Sequence, residues 1–88
     1  MPAAYRVYVL QNVAGRFYIG ISEDIPKRLV QHNANASRWT KGKGPWRLVW
    51  ESESLPLSAA RKVENHIKRQ GRGSGFYSIT GLNRTTGL

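Results

Sequence analysis

The chain contains no cysteine and only five acidic residues among its 88. Without cysteine it has no disulfides, no thiolate nucleophile and no cysteine-ligated zinc site. No apolar stretch approaches the roughly 18 residues that a membrane-spanning helix needs. The opening residues lack the basic segment followed by an apolar segment of a secretory signal. We therefore expect a cytoplasmic protein, at or near the nucleoid, that does not enter a membrane.

Basic residues are as abundant as acidic ones are scarce, because 14 Lys and Arg against five Asp and Glu give a formal net charge of +9. Two zones, 26–50 and 65–88, carry basic residues with no acid among them. Such a balance favours a polyanionic partner, either nucleic acid or an anionic membrane surface, and two acid-free zones in one domain favour nucleic acid. The alternative is a solvated surface that keeps a small protein soluble.

The length allows one small domain, and no internal repeat or linker divides the sequence. Residues 5–10 and 16–21 are rich in β-branched and aromatic side chains, and turn-forming residues 12–15 separate them. This pattern predicts a β-hairpin.

Pairing symmetric about residue 13 places Tyr8 opposite Tyr18 and Arg6 opposite Gly20, all on one face of the hairpin. The other face then carries core residues, which are Val7, Val9, Phe17 and Ile19. A tyrosine pair across a hairpin can have a purely stabilising role, so this face has both a structural and a functional interpretation. Gly20 weakens a strand interior, which indicates that another group approaches closely there.

A helix is predicted after the hairpin, with Asp24 as its N-cap and Pro26 in its first turn, and it ends near residue 33 or 35. Ile25 and Leu29 form its buried stripe. Arg28 and His32, at spacing i and i+4, share a neighbouring face and form either part of a site or an ordinary solvated pair.

A third strand is predicted over 46–50, with Trp46, Leu48 and Trp50 on one buried face. The basic loop before it carries Trp39, a candidate for stacking on bases or for packing on the small core. Flanking lysines in the same loop are candidates for phosphate contacts.

A second helix is predicted from residue 54 or 58 to about residue 70, and its apolar stripe is Ala60, Val63 and Ile67. Glu64 lies inside that stripe. A buried carboxylate is costly unless it is neutralised, paired or bound to a metal. The pattern leaves open a salt bridge to a nearby basic residue or a role in a site.

Several familiar catalytic motifs are missing, including a Walker loop, a G-x-S-x-G elbow, an H-E-x-x-H motif and paired carboxylates at helical spacing. The sequence offers instead two tyrosines, an arginine, a histidine and one glutamate. This set suits phosphodiester hydrolysis, which needs a base for water, a cation for the charge developing on phosphate, and a carboxylate that anchors a divalent ion.

The segments Val7-Tyr8 and Phe17-Tyr18-Ile19-Gly20, followed by Arg28 and later Glu64, resemble the GIY-YIG nuclease superfamily. The likeness is to its small single-domain bacterial branch and to the catalytic domain of Slx1-type structure-specific endonucleases. It covers about residues 5–72 of a single domain over 1–88, with 73–88 as a C-terminal extension. It implies an α+β fold in which helices flank a small central three-stranded antiparallel sheet, in the order β-β-α-β-α plus a short C-terminal element.

The resemblance also implies roles for individual residues. Tyr8 and Tyr18 match the two signature tyrosines, one of which acts as general base, and Arg28 matches the arginine that stabilises the scissile phosphate. Glu64 matches the carboxylate that holds one Mg²⁺ or Mn²⁺. His32 matches a supporting histidine. The predicted nucleic-acid-binding residues are Gly20, Arg6, Lys27, Arg38, Trp39, Lys41 and Lys43.

Two positions depart from the family pattern, since Arg6 stands at the usual glycine of the first signature and Ile21 replaces a lysine of the excision-repair relatives. Neither change removes a predicted catalytic group. We therefore expect a metal-dependent DNA endonuclease of repair or recombination, selective for branched, flapped or nicked DNA, with a partner protein supplying specificity. The alternatives are a catalytically weak or inactive module that binds DNA or RNA, and an interaction protein whose charge is incidental.

Overall fold

The computed structural model describes residues 3–34 and 43–70. Within these ranges the elements are β1 (Arg6–Asn12), β2 (Phe17–Ser22), α1 (Ile25–Asn33), β3 (Trp46–Glu51) and α2 (Leu57–Arg69). The strands form one antiparallel sheet in the order β2-β1-β3. The predicted α+β fold with the order β-β-α-β-α is confirmed. The predicted C-terminal element lies outside the described residues.

The hairpin forms as predicted, but its register differs. Tyr8 pairs with Gly20 and Leu10 pairs with Tyr18, while Arg6 pairs with Ser22. The predicted Tyr8–Tyr18 and Arg6–Gly20 pairs are therefore wrong. Because each partner moves by two residues, every side chain stays on the face that the sequence pattern assigned to it.

The turn explains this register. The backbone N–H of Asn12 donates to the carbonyl of Arg16 at 3.0 Å, so a three-residue loop, 13–15, closes the hairpin. Gly15 in this loop has φ of 83°, which is the left-handed conformation that three-residue hairpin loops favour. The side-chain oxygen of Asn12 accepts from the N–H groups of Ala14 and Arg16. The centre of pairing is consequently residue 14 rather than residue 13.

The two faces of the sheet carry separate cores. On one face Val7 and Val9 pack with Ala60 and Ile67 of α2, and all four are completely buried. On the other face the buried cluster comprises Tyr8, Leu10, Ile25 and Trp46. One helix therefore covers each face, and the predicted apolar stripes of both helices are confirmed.

The third strand does not have the single buried face that its alternating tryptophans predict. Trp46 packs in the cluster of Tyr8 and Leu10, whereas Trp50 packs against the Val7 and Val9 side. Leu48 is 36% exposed. The cause is a β-bulge, because consecutive residues Val9 and Leu10 pair with Trp50 and Leu48, which leaves an extra residue in β3 and inverts the alternation.

Both helices begin near their predicted positions. The Asp24 side chain accepts a hydrogen bond from the backbone N–H of Lys27 at 3.1 Å, so it caps α1 as expected. The second helix starts at Leu57, between the two predicted starts, and ends one residue before Gln70. Within the described residues, neither helix is long and apolar enough to cross a membrane.

Candidate active site

A cavity of about 450 Å³ lies between the hairpin and the two helices. Its lining residues are Tyr5, Tyr8, Tyr18, Gly20, Ile21, Arg28, Leu57, Arg61 and Glu64. Four of the five predicted catalytic residues are therefore together, although they are spread over 57 positions of the chain. The fifth, His32, lies beside the two signature tyrosines.

The two signature tyrosines are diagonal neighbours on adjacent strands. Tyr8 lies on the central strand and is 1% exposed, and its ring centroid lies 6.3 Å from that of Tyr18. Tyr18, on the edge strand, is half-buried and meets the Trp46 ring edge-on at 6.4 Å. The rings therefore belong to one aromatic cluster at the wall of the cavity.

Gly20 makes room for the Tyr8 ring, which crosses over it from the neighbouring strand. A Cβ atom at Gly20 would lie 2.6 Å from Tyr8 Oη and 2.7 Å from Tyr8 Cζ, distances that real Cβ atoms do not adopt. The close approach indicated by this glycine is thus made within the protein. Gly20 lets Tyr8 extend into the cavity instead of being pushed off the strand.

His32 is completely buried against both tyrosines, so the solvated-pair interpretation of Arg28 and His32 is wrong. Its Nε2 lies 2.9 Å from Tyr8 Oη, and its ring centroid is 4.7 Å from that of Tyr18. Burial, assisted by the positive charge of Arg28, lowers the pKa of His32. A neutral imidazole whose proton is on Nδ1 accepts a hydrogen bond at Nε2, which suits the phenol of Tyr8.

The guanidinium of Arg28 lies beside the two signature tyrosines, Tyr8 and Tyr18. Its Nη1 donates to Gln31 Oε1 at 2.7 Å, one turn further along α1. The pKa of Arg28 is raised, chiefly through its hydrogen bond with Tyr8. This arginine is consequently a fixed positive charge that faces the phenol oxygen.

The phenol of Tyr8 is held in its neutral form. Burial raises its pKa, and this effect outweighs the hydrogen bond from Arg28, which acts in the opposite direction. The neighbouring charges of Tyr18 and Glu64 also raise it. A phenolate at this position therefore does not form freely at neutral pH, and Tyr8 needs an acceptor for its proton. His32 Nε2 lies at the required distance.

Glu64 enters the cavity from α2, and its side chain is 19% exposed. Its Oε2 lies 3.3 Å from Nζ of Lys68 in an i, i+4 ion pair. The two interpretations of this residue thus both hold, since it is paired and it also lines the cavity. The exposed, flexible lysine makes this a weak pair.

The described residues contain no cluster of three or more histidine, cysteine or acidic side chains that could hold a metal. Mg²⁺ does not require such a cluster, because it keeps several waters and is usually held by one or two carboxylates together with substrate phosphates. A single carboxylate at an open cavity fits that requirement. It does not fit zinc, which takes at least three protein ligands.

The predicted nucleic-acid-binding residues have different surroundings. Arg6 does not line the cavity, and its Nη1 binds Glu51 Oε1 at 2.9 Å and the carbonyl of Ser52 at 3.2 Å. Lys27 and Lys43 are exposed. The remaining three, Arg38, Trp39 and Lys41, lie outside the described residues.

Three polar residues of the site were not predicted from the sequence. Arg61 and Tyr5 line the cavity, and Gln31 holds Arg28. Arg61 precedes Glu64 by three residues, a spacing that places both on one side of a helix and could have identified it. The Glu23 carboxylate raises the pKa of Tyr5, an effect of tertiary proximity with no signal in the sequence.

Comparison with known proteins agrees with this arrangement. The family described as "GIY-YIG catalytic domain" matches residues 4–77. The UPF0213 protein of Aeromonas salmonicida is 38% identical over 69 residues, which are 77% of this chain and 51% of that protein. The UPF0213 protein of Vibrio cholerae serotype O1 is 33% identical over 89 residues, covering 96% of this chain and 85% of the relative.

A third relative, the UPF0213 protein of Yersinia pestis strain Pestoides F, is 35% identical over 66 residues, covering 74% of this chain and 70% of its own length. The chain therefore spans about half of the Aeromonas protein and most of the other two. No solved structure matches the chain. The matched family spans every element that contributes to the cavity.

Proposed function

Since this chain belongs to the GIY-YIG catalytic domain family of nucleases, we propose that it is a metal-dependent DNA endonuclease that hydrolyses phosphodiester bonds. The observation that supports this most directly is the convergence of Tyr8, Tyr18, Arg28 and Glu64 on one cavity. These are the groups that attack on a phosphodiester requires. They come from a strand pair and two helices that meet only in the folded chain.

Tyr8 and His32 act together as the base. The attacking water gives a proton to the phenolic oxygen of Tyr8, and Tyr8 passes its own proton to Nε2 of His32 across the 2.9 Å contact. The water oxygen forms the new bond to phosphorus while the bond to the leaving oxygen breaks, and His32 ends this step as imidazolium. Among the two signature tyrosines, we assign the role to Tyr8 because its oxygen contacts this acceptor.

Arg28 stabilises the charge that builds on the non-bridging phosphate oxygens as water attacks. Its guanidinium is already oriented by Gln31 and Tyr8, so little reorganisation is needed when the phosphate binds. The same positive charge keeps the Tyr8 and His32 pair from taking up a proton before the substrate arrives.

Glu64 is the residue that would hold one Mg²⁺ or Mn²⁺. When bound, the ion would polarise the phosphate and stabilise the leaving oxygen. To hold the ion, the Glu64 carboxylate would give up its ion pair with Lys68, whose side chain is exposed to solvent. Members of this family generally use divalent ions, which supports the assignment.

The substrate class we propose is branched, flapped or nicked DNA in repair or recombination, cut within the cytoplasm at the nucleoid. The net charge of +9 and the exposed Lys27 and Lys43 support binding to a phosphate backbone. Structure selectivity follows from the resemblance of the motifs Val7-Tyr8 and Phe17-Tyr18-Ile19-Gly20 to structure-specific members of the superfamily. A single small domain cannot read a long DNA sequence by itself, so the proposal includes a partner protein that supplies specificity.

A second candidate is a catalytically weak module that binds DNA or RNA. Two observations favour it: Glu64 is ion-paired with Lys68, and burial raises the pKa of Tyr8. Both features would slow hydrolysis without weakening electrostatic attraction to nucleic acid.

Cleavage of a labelled substrate panel separates the two candidates. The panel comprises duplex, single strand, 5′ flap, fork, four-way junction and structured RNA, each with Mg²⁺ or Mn²⁺. We expect wild type to cut branched DNA and Glu64→Gln, which keeps the side-chain shape but loses the charge, to bind it without cutting. Glu53→Gln, an exposed carboxylate that does not line the cavity, is the matched control and should cut normally. Equal cutting by wild type and Glu64→Gln would contradict the proposal, and binding without cutting by wild type would favour the second candidate.

A further inference from the structure

Arg61 is a cation at the cavity that the proposed reaction does not use. It lines the cavity from α2, on the same side of that helix as Glu64, and it is exposed to solvent. Within residues 3–34 and 43–70, no carboxylate lies within ion-pair distance of its guanidinium. By contrast, Arg28 is held by Gln31, and Lys68 is paired with Glu64.

Arg61 and Arg28 reach the cavity from two helices that pack on opposite faces of the sheet. Arg28 comes from α1, which packs on the tyrosine face of the sheet, while Arg61 comes from α2, which packs on the Val7 and Val9 face. The positive charge of Arg61 acts on the phenol of Tyr5, another lining residue, and opposes the rise in the pKa of Tyr5 that Glu23 causes.

We propose that Arg61 binds a phosphate adjacent to the scissile one, so that it positions the nucleic-acid strand across the cavity. This inference rests on the proposed nuclease function. A strand held at the scissile phosphate by Arg28 carries its next phosphates along the cavity, where a second guanidinium can bind one bidentately. Arg61 is then a strand-positioning residue, whereas Arg28 acts on the reacting phosphate.

The two roles have different kinetic signatures. A contact to a neighbouring phosphate is the same in the ground state and the transition state, so its loss raises KM and leaves kcat nearly unchanged. It also removes one phosphate contact, which makes the salt dependence of binding shallower by about one unit of log–log slope. A residue that only contributes to the fold would change neither quantity selectively.

The test compares Arg61→Ala with Lys62→Ala, using the branched DNA that wild type cuts. Lys62 is the adjacent exposed cation on the same helix and does not line the cavity, so both variants lose the same charge. We expect Arg61→Ala to raise KM about tenfold with kcat within about twofold, as for loss of a charge-assisted hydrogen bond. Arg61→Lys should recover part of the loss, and Lys62→Ala should resemble wild type. Equal KM values for Arg61→Ala and Lys62→Ala would overturn the inference.

Binding measured without cleavage keeps this test separate from the proposed function. Fluorescence anisotropy with the same labelled DNA over a range of salt concentrations, without divalent ions, gives the salt slope of each variant. A shallower slope in Arg61→Ala alone supports the contact even if wild type never cuts, in which case the nuclease proposal fails and the contact stands. Normal cutting by wild type with identical slopes for Arg61→Ala and Lys62→Ala refutes the contact and leaves the nuclease proposal intact.

Discussion

Each face of the sheet carries a buried cluster, but the two clusters differ in chemistry. On the α2 face, Val7 and Val9 meet Ala60 and Ile67, and every buried side chain of this cluster is apolar. On the α1 face, the buried Tyr8 contacts the buried His32 through a hydrogen bond, beside Leu10 and Trp46. One strand, β1, supplies both clusters from alternate positions.

This difference indicates that one face of the sheet contributes stability, whereas the other face also carries part of the candidate active site. Apolar burial contributes stability in proportion to the apolar area removed from water. A buried phenol and imidazole cost desolvation and are kept only because they bind each other. We therefore expect substitutions in the apolar cluster of Val7, Val9, Ala60 and Ile67 to change stability alone. Substitutions on the tyrosine face should change activity as well.

Truncation of Ile67 tests the apolar face. Ile67→Ala should lower the free energy of unfolding by about 3 kcal/mol, because the side chain is completely buried and leaves a cavity. The measurement is urea unfolding followed by tryptophan fluorescence. Activity per folded molecule, assayed well below the transition, should equal that of wild type. A large fall in kcat without loss of stability would contradict the division between the two faces.

Addition of one methyl group at Gly20 tests the tyrosine face. In Gly20→Ala, the new Cβ atom collides with the Tyr8 ring, so we expect a loss of stability of about 1–3 kcal/mol. Displacement of Tyr8 from His32 should also reduce kcat by about a hundredfold, the lower end of the roughly 10²–10⁴-fold range attributed to general acid–base catalysis. The control is Ser58→Ala, at an exposed position in the first turn of α2, which should leave both quantities unchanged. A wild-type kcat in Gly20→Ala would mean that catalysis does not depend on the present position of the Tyr8 ring.

The smallest predicted effect is the pH dependence of stability that His32 contributes. Its pKa in the folded chain is lowered by burial and by Arg28, whereas in the unfolded chain it is close to the ordinary value of about 6.5. As the pH falls below that value, the unfolded chain takes up a proton that the folded chain does not. The free energy of unfolding should therefore decrease until the pH passes below the pKa of folded His32.

Urea unfolding between pH 7.5 and pH 5 measures this slope. His32→Asn should reduce it even if the variant is less stable overall, since the slope and not the absolute stability carries the prediction. The matched variant His66→Asn, at an exposed position of α2, should retain the wild-type slope. If the free energy of unfolding depends on pH equally in His32→Asn and in wild type, the protonation of His32 does not change on unfolding, and the prediction is wrong.

Sequence patterns predicted most of the local structure because the forces involved act over a few residues. Asp24 caps α1 through a hydrogen bond to Lys27, three positions away. The alternation of β1 assigned Tyr8 to one face and Val7 to the other, and this assignment survived an error of two residues in pairing. The stripes of Ala60 and Ile67, and of Ile25, follow directly from helical periodicity.

Errors arose where one segment adapts to another. The register depends on how the Asn12 side chain closes the turn, and the split of Trp46 and Trp50 between faces depends on a bulge formed only when β3 pairs with β1. His32 is buried because the rings of Tyr8 and Tyr18, which belong to other segments of the chain, pack against it. The ion pair of Arg6 with Glu51 likewise forms only when β3 pairs with β1, so it could not be predicted from the sequence.

The fold class, the faces of the elements and the residue types available for phosphate chemistry follow from the order of the amino acids, because periodicity, capping and charge are properties of the chain. Three contacts follow only from the folded molecule: Tyr8 meets His32, Gly20 makes room for the Tyr8 ring, and Arg61 joins Glu64 at the cavity. These contacts join residues far apart in sequence, and their distances are set by how the two helices pack on the sheet.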